Sequence, residues 1–519
     1  MKAIKPIFFI TIGSLLYQLS VAQTFFNVIN YGAKNDSSKL ATKAIAAAIQ
    51  AAHKAGGGTV YFPAGKYLTG PIHLKSNITL HIEAGAELHF SDNFDHYLPM
   101  VPSRYEGVDV VSFSPLIYAH NAENITITGR GLIHGHGKKW WDYALGYSGT
   151  KPRSKWQLLF DSLNRNILLP DDATQMKRGF LRPPFIQPMY CKNVLIEGIT
   201  ITHSPFWTVN PEFCENVIIK AVTINNPKSP NTDGINPESC RYVHISDCHI
   251  SVGDDCITIK SGKDVPGRTK AIPAENYTIT NCTMLSGHGG VVIGSEMSGG
   301  VKKITISNCV FDGTDRGIRI KTTRGRGGIV EDIRVDNIVM KNIRDQAIVL
   351  DMEYSKTQPE AVSERTPRFR NIRLSNITAY TKRALYINGL AEMPVQEISM
   401  HDVFIEAETG VLIRNAADIE LHNLRVNTKT GPLLSAENTN RLLVHSLSTS
   451  NPMEAAPMVR LTQVQHALLR NHWLQGYIRT FAEIKGNSTT QITMQHNLLA
   501  GAGIAVDSSV NPSALIIIE

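Results

Sequence analysis

Val194-Leu195-Ile196, Val217-Ile218-Ile219 and Val243-His244-Ile245 are three copies of one short β-branched phrase, separated by turns rich in Asn or Gly. The phrase returns as Tyr277-Thr278-Ile279, Ile304-Thr305-Ile306 and Ile333-Arg334-Val335. The first two steps are 23 and 26 residues; the 61 residues from Val243 to Ile304 hold the Tyr277 strand and a longer coil, and the step to Ile333 is 29. A period in the twenties to thirties, built from strands without alternating helices, indicates a solenoid, because each unit can bury its apolar face only against its neighbours. The sequence therefore predicts an all-β fold, a single-stranded parallel β-helix. The chirality of parallel crossover connections makes it right-handed.

Asn281, Asn308, Asn337 and Asn376 each end a Thr, Ser or Asp-Asn pair at matching places in successive coils. Asn tolerates left-handed backbone geometry and can hydrogen-bond along a stack, so these are read as turn residues without a function of their own. Residues 41–55 break the pattern. They are Ala-rich, helical in periodicity and followed by Gly56-Gly57-Gly58, which predicts an N-terminal capping helix over the open first coil. The repeat weakens after about Ala379 but continues through Ile398-Ser399-Met400, Ile419-Glu420-Leu421 and Leu442-Leu443-Val444, so residues 23–519 read as one domain without a linker. Seven cysteines lie in the central third, and 214 to 240, 256 to 282 and 282 to 309 are steps of 26, 26 and 27. An odd, repeat-like set predicts stacked, buried, free thiols, with room for one disulfide.

A chain of 519 residues with 42% hydrophobic content can bury a large core, which excludes a disordered protein and a small disulfide-stapled scaffold. Lys2 and Lys5 precede an apolar run from Ile7 to Leu16 and then Ser20-Val21-Ala22, the pattern of a signal peptide over residues 1–22 cut before Gln23. The run is short for a membrane span of about 20 residues, and no later stretch is long enough to cross a bilayer. No cysteine follows the cleavage site to carry a lipid, so a secreted or periplasmic chain with no membrane span is expected. The net charge of +7 suits an acidic polymer as partner. Nucleic acid, the rival acidic polymer, is set aside, because the sequence has no block of positive charge and carries a leader for export.

Four motifs rise above the repeat: Asn231-Thr232-Asp233-Gly234, Gly253-Asp254-Asp255-Cys256, Gly287-His288-Gly289 and Arg319-Ile320-Lys321. Their key residues lie 21, 33 or 34, and 31 positions apart, each about one coil. Adjacent strands stand about 4.8 Å apart, so the motifs should line one lateral groove in order. Arg319 and Lys321 are two apart on a strand and point the same way. Asp254 and Asp255 can share the groove only if the chain bends, which Gly253 permits. Taken singly, an Asp-Asp pair reads as a solvated turn, His288 as a turn residue and the Arg-x-Lys pair as a solvated strand face. Together they concentrate charge at one place, for which folding alone gives no reason.

These motifs, in type, order and approximate spacing, resemble the signature of glycoside hydrolase family 28, the polygalacturonase family. The turn around Gly129 to Gly137 with Trp140 and Trp141, and Ser204-Pro205-Phe206-Trp207, also look like its bacterial members. The resemblance implies inverting hydrolysis of α-1,4-galacturonosyl linkages in polygalacturonate, with no metal or other cofactor. It assigns Asp254 as general acid, Asp233 and Asp255 to the attacking water, His288 to the acid's hydrogen-bond network, Arg319 and Lys321 to a uronate carboxylate, and Tyr354 to the sugar site. Inversion implies a carboxylate gap of about 6.5 to 9.5 Å. Crowding should raise the acid's pKa, opposed by Arg319, Lys321 and protonated His288. Trp140, Trp141 and Trp207 need no such role and are left outside the site.

A pectate lyase would use a similar solenoid with carboxylates holding Ca²⁺, but leaves Gly-His-Gly unexplained. A rhamnogalacturonan hydrolase shares the fold, and that branch of the family is expected to lack Gly-His-Gly and Arg-x-Lys. A non-catalytic polysaccharide-binding solenoid would not need three aspartates at the groove. Ile257-Thr258-Ile259-Lys260-Ser261-Gly262 resembles bacterial exo-acting relatives more than fungal endo-acting ones, so attack from a chain end is expected, with an endo-polygalacturonase as the alternative. The long insertion between Trp140 and Arg182 could wall off one end of the groove, with Arg182 or Lys260 meeting a terminal carboxylate.

Overall fold

A computed structural model describes residues 25–146, 152–173, 182–474 and 476–518. Across them the chain winds into a right-handed parallel β-helix, its strands pairing in parallel from Phe25–Asn27 to Leu515–Ile518. The six phrases stack in register: Val194 beside Val217, then Val243, Tyr277, Ile304 and Ile333. All six side chains are buried, whereas Ile218, His244, Thr278 and Thr305 between the inward positions are exposed. This is the period-two alternation of a strand buried on one face. Each inward Val or Ile removes enough apolar surface from water to contribute about 1.5–3 kcal/mol.

Asn281, Asn308, Asn337 and Asn376 take left-handed φ values of 56°, 54°, 54° and 53°. Asn337 donates to Asn308 Oδ1 at 2.8 Å, and an earlier ladder runs Asn216 to Asn193, Asn193 to Asn124 and Asn124 to Asn77. The capping helix spans Thr42–Lys54 and turns Ile45, Ala48, Ile49 and Ala52 onto the first coils. That is the i, i+3, i+4, i+7 stripe of a helix with one buried face.

All seven cysteines are buried and free. The spacing misled in one respect. The columns are Cys191, Cys214 and Cys240, and then Cys248, Cys282 and Cys309. Cys256 belongs to neither, because its strand Ile257–Ile259 pairs with Val291–Ile293. Coils of unequal length let a 26-residue step join positions that are not neighbours.

Two features lie outside the repeat. Helices Lys138–Leu145 and Lys155–Leu163 occupy described parts of the insertion, the second opened by a Ser154 and Gln157 capping box. Strands Val101–Tyr105 and Val108–Ser112 form an antiparallel hairpin that the sequence reading did not identify. Its Arg104 is buried among Glu212, Glu238 and Asp109, with the Glu238 contact at 2.6 Å. The hairpin tip lies against the helix wall: a Cβ at Gly107 would stand 2.6 Å from the Lys263 nitrogen. The predicted leader, residues 1–22, lies outside the described residues. No described helix is long and apolar enough to cross a membrane.

Candidate active site

Backbone hydrogen bonds bring the acids together. Gly234 N–H donates to the Asp255 carbonyl at 3.0 Å, and Ile235 bridges Ile257, so Asp233 and Asp255 stand side by side on adjacent coils. The next coil adds His288, whose N–H donates to the Asp254 carbonyl at 2.9 Å. Strand Arg316–Lys321 then pairs with Val291–Ile293 and brings in Arg319 and Lys321. The chain does bend at Asp254, and space governs the Gly253 position: a Cβ there would meet the Ser229 carbonyl oxygen at 2.3 Å. The result is that Asp254 and Asp255 reach the same groove.

Each of the three aspartates offers a carboxylate oxygen within 4.8 Å of the others. This is closer than the expected inverting gap of about 6.5 to 9.5 Å. Asp233 and Asp255 are buried side by side on adjacent coils, and Asp254 is partly exposed. Asp254 Oδ1 accepts from the Asp255 N–H at 2.9 Å and pairs with His288 Nδ1 at 3.1 Å. Asp255 Oδ2 accepts from Lys321 Nζ at 2.8 Å, and Arg319 lies 3.8 Å from Oδ1. Asp233 Oδ2 accepts from Asn236 at 2.9 Å and from Thr258 at 3.3 Å. The other oxygens, Asp233 Oδ1 and Asp255 Oδ1, are buried and accept no hydrogen bond from the protein.

The surroundings separate these acids. Burial, and then the Asp254 charge, push Asp233 well above the ordinary carboxylate range. Burial also opposes ionisation of Asp255, but Lys321 and Arg319 outweigh it and hold that carboxyl below its usual value. The hydrogen bond to Asp254 raises His288, against its own desolvation. Tyr354 sits over the cations, its ring centre 5.4 Å from Arg319 and 5.2 Å from Lys321. All seven residues expected from the sequence therefore converge.

The acids open into a pocket of about 230 Å³ whose lining includes residues the sequence did not reveal: Glu106 at the hairpin tip, Asp172, Lys263, Glu296 and Arg326. Lys260 lines it too, buried, bonded to Glu296 at 2.6 Å and 4.6 Å from the Trp207 ring centre. Glu296 and Asp233 raise Lys260 despite its burial, and the surrounding cations hold Glu296 ionised. Trp207, left out on sequence grounds, thus belongs to the pocket. Trp140 and Trp141 are buried in the fold. Arg182 is corrected: its guanidinium donates to Asn231 Oδ1 at 2.7 Å and to the Pro230 carbonyl, and it holds the Asp233 turn in place. Only tertiary pairing identifies these roles. The one sequence signal for the wall is the density of Lys and Arg around Gly262 and Gly325.

The insertion contributes Asp172 to the lining, and the Asp171 N–H donates to Asp264 Oδ2 at 3.0 Å. The hairpin supplies Glu106 to the same lining. A positive charge already occupies the acid cluster, since Lys321 bonds Asp255 directly. That suits a hydrolase better than a Ca²⁺ site built on the same carboxylates.

Residues 169–427, which carry every candidate catalytic residue, match the model of glycosyl hydrolases family 28. Residues 25–146 match one described as rhamnogalacturonase A/epimerase, pectate lyase-like, and carry none of them. A probable polygalacturonase of Vitis vinifera is 34% identical over 328 residues, 61% of this chain and 61% of that one, so the chain spans under two thirds of that relative's length. An endo-polygalacturonase of Pectobacterium carotovorum subsp. carotovorum is 30% identical over 67% of this chain and 80% of its own. Among solved structures, a hyperthermoactive exopolygalacturonase from Thermotoga maritima superposes with a TM-score of 0.69 at 34% identity, covering 78% of this chain and 91% of that one. With this fold, these acids and these relatives, the chain belongs to glycoside hydrolase family 28.

Proposed function

We propose that the protein hydrolyses α-1,4-galacturonosyl linkages of polygalacturonate, inverts the anomeric carbon and works from a chain end. The observation that supports the reading is the arrangement of the aspartates, two buried side by side with unpartnered Oδ1 atoms and one partly exposed beside His288. Asp254, the exposed one, protonates the leaving oxygen, with His288 holding its hydrogen-bond network. Asp255 and Asp233 bind the attacking water through their unpartnered Oδ1 atoms. A water about 2.8 Å from each of two acceptors fits between oxygens up to about 5.6 Å apart, so the close spacing suffices for that role. Ionised Asp255 accepts the water's proton, and Arg319 and Lys321 grip the uronate carboxylate. Tyr354 lines the sugar site.

The exo reading is supported by the charged pocket lining of Glu106, Lys260, Lys263 and Arg326 beside the acids, which could receive a terminal sugar. Relatives of both modes occur at comparable identity, the Thermotoga maritima exo enzyme at 34% and the Pectobacterium endo enzyme at 30%. We further propose export through a leader ending at Ala22, to be checked by N-terminal sequencing of the mature protein.

Chromatography of products from polygalacturonate over time tests the activity. Monogalacturonate alone at early times supports exo hydrolysis; mixed oligomers with a rapid fall in viscosity overturn it. Products absorbing in the ultraviolet and lost on chelation would mean elimination. Proton NMR of the first product reads the stereochemistry, and an initial β-anomer supports inversion.

A further inference from the structure

We propose that His89, His134 and His136 form a binding site for a borderline transition-metal ion, Zn²⁺ in the first instance, that ties two adjacent coils together. The strand Ala86–Phe90 pairs with Leu132–His134, and His134 stands directly beside His89. The turn Gly135-His136-Gly137 carries the third ring back over them, with the His134 and His136 ring centres 3.9 Å apart. Each of the three residues offers a ring nitrogen within 4.8 Å of the others. His89 Nδ1 and His136 Nε2 are 3.0 Å apart, close to the edge of about 3.3 Å between ligands of a tetrahedral ion with Zn–N bonds of about 2.05 Å.

The surroundings prepare the rings for that role. His89 Nε2 bonds Glu87 Oε2 at 2.9 Å, and Lys66 holds the same carboxylate at 3.2 Å. A carboxylate on the far nitrogen fixes a ligand imidazole's tautomer and aims its lone pair inward. His134 Nδ1 accepts the His136 N–H at 3.1 Å, a bond that coordination at this ring replaces.

Another histidine column in this fold shows that stacking alone does not give this arrangement. His401 and His422 lie face to face, 4.5 Å apart and 4° from parallel. In the first cluster His134 also stacks, 22° from parallel on His89 and 16° from parallel on His203, but His136 turns in so that its Nε2 meets His89 Nδ1. Imidazoles favour Zn²⁺, Ni²⁺ or Cu²⁺ over the hard cations Ca²⁺ and Mg²⁺, which take oxygen. Three ligands leave one position to water. None of these histidines lines the pocket with the aspartates.

The test uses the full chain, stripped with chelator, titrated with zinc chloride and followed by calorimetry and thermal melts, with calcium chloride in parallel. One zinc per chain with a rise in Tm, and no rise with calcium, supports the site. His136→Ala is expected to weaken zinc at least about tenfold, and His89→Gln to do the same should the first variant not fold. Asp254→Asn is expected to retain zinc, since the aspartates are the other cluster able to hold an ion among the described residues. Failure of the wild type to bind zinc at micromolar concentration overturns the proposal. So does zinc that survives both histidine variants, or that is lost with Asp254→Asn.

Discussion

At the residue scale, the acids differ because their neighbours differ. Asp254→Asn keeps the shape of the exposed acid but removes its proton, so hydrolysis of polygalacturonate should fall by at least about 10²- to 10⁴-fold with the melting curve preserved; near wild-type turnover would contradict the assignment. Asp233 carries a stability signature as well. Its folded pKa is raised by burial and by Asp254, so above pH about 4 the unfolded chain releases a proton that the folded chain keeps. Wild-type stability is therefore lost as pH rises, at up to about 1.4 kcal/mol per pH unit, until the folded group titrates. Asp233→Asn mimics the protonated form and escapes this loss. It should lower activity, yet melt increasingly above wild type between pH 4 and pH 7; equal melting differences at both pH values would refute the raised pKa. Arg319→Ala and Lys321→Ala should raise KM for polygalacturonate more than for a carboxyl-reduced analogue, because the lost partner is a uronate. Equal effects on the two substrates would count against that role.

Among elements, what could be read from sequence was whatever repeats. Val194, Val217 and Val243 announce their register because inward positions must match from coil to coil, and Asp233, Asp254, His288 and Arg319 fell on one groove because one-coil spacing carries side chains to the same place. The hairpin Val101–Ser112 was not legible. Its alternation is that of any strand, and its placement depends on Arg104 reaching Glu212 and Glu238, more than a hundred residues away. The pocket wall escaped for the same reason, since Glu106 gains its meaning from Lys263 and Glu296 from Lys260. Cys256 shows the opposite failure, a regular interval without a structural neighbour. The hairpin makes a prediction of its own. Arg104→Met leaves Glu212 and Glu238 buried and uncompensated, a loss of about 3–5 kcal/mol. The variant should melt lower, open residues 101–112 to protease and raise KM as the Glu106 wall loosens. A Tm and cleavage pattern equal to wild type would show that the buried network does not hold the hairpin.

Over the whole molecule, a solenoid has no single centre whose loss dissolves everything else. Each coil contacts its neighbours, so stability is close to a sum of coil and interface contributions, and damage should stay near where it is made. The proposed centre of chemistry, from Asp233 to Tyr354, is separated from the C-terminal coils by strands Arg368–Asn388 and Val395–His445. Leu461 lies beyond them on strand Val459–Arg470, fully buried between Ala436 and Ile484. Leu461→Ala removes packed methyl groups and leaves a cavity, a loss of about 2–5 kcal/mol. If the coils are coupled only to neighbours, amide exchange should accelerate from about residue 434 to the C-terminus, while Val194, Val243 and Ile304 keep their protection and turnover on polygalacturonate holds near wild type. A uniform loss of protection, with activity falling alongside it, would mean instead that the helix unfolds as one cooperative unit and that the distant coils directly support the catalytic groove.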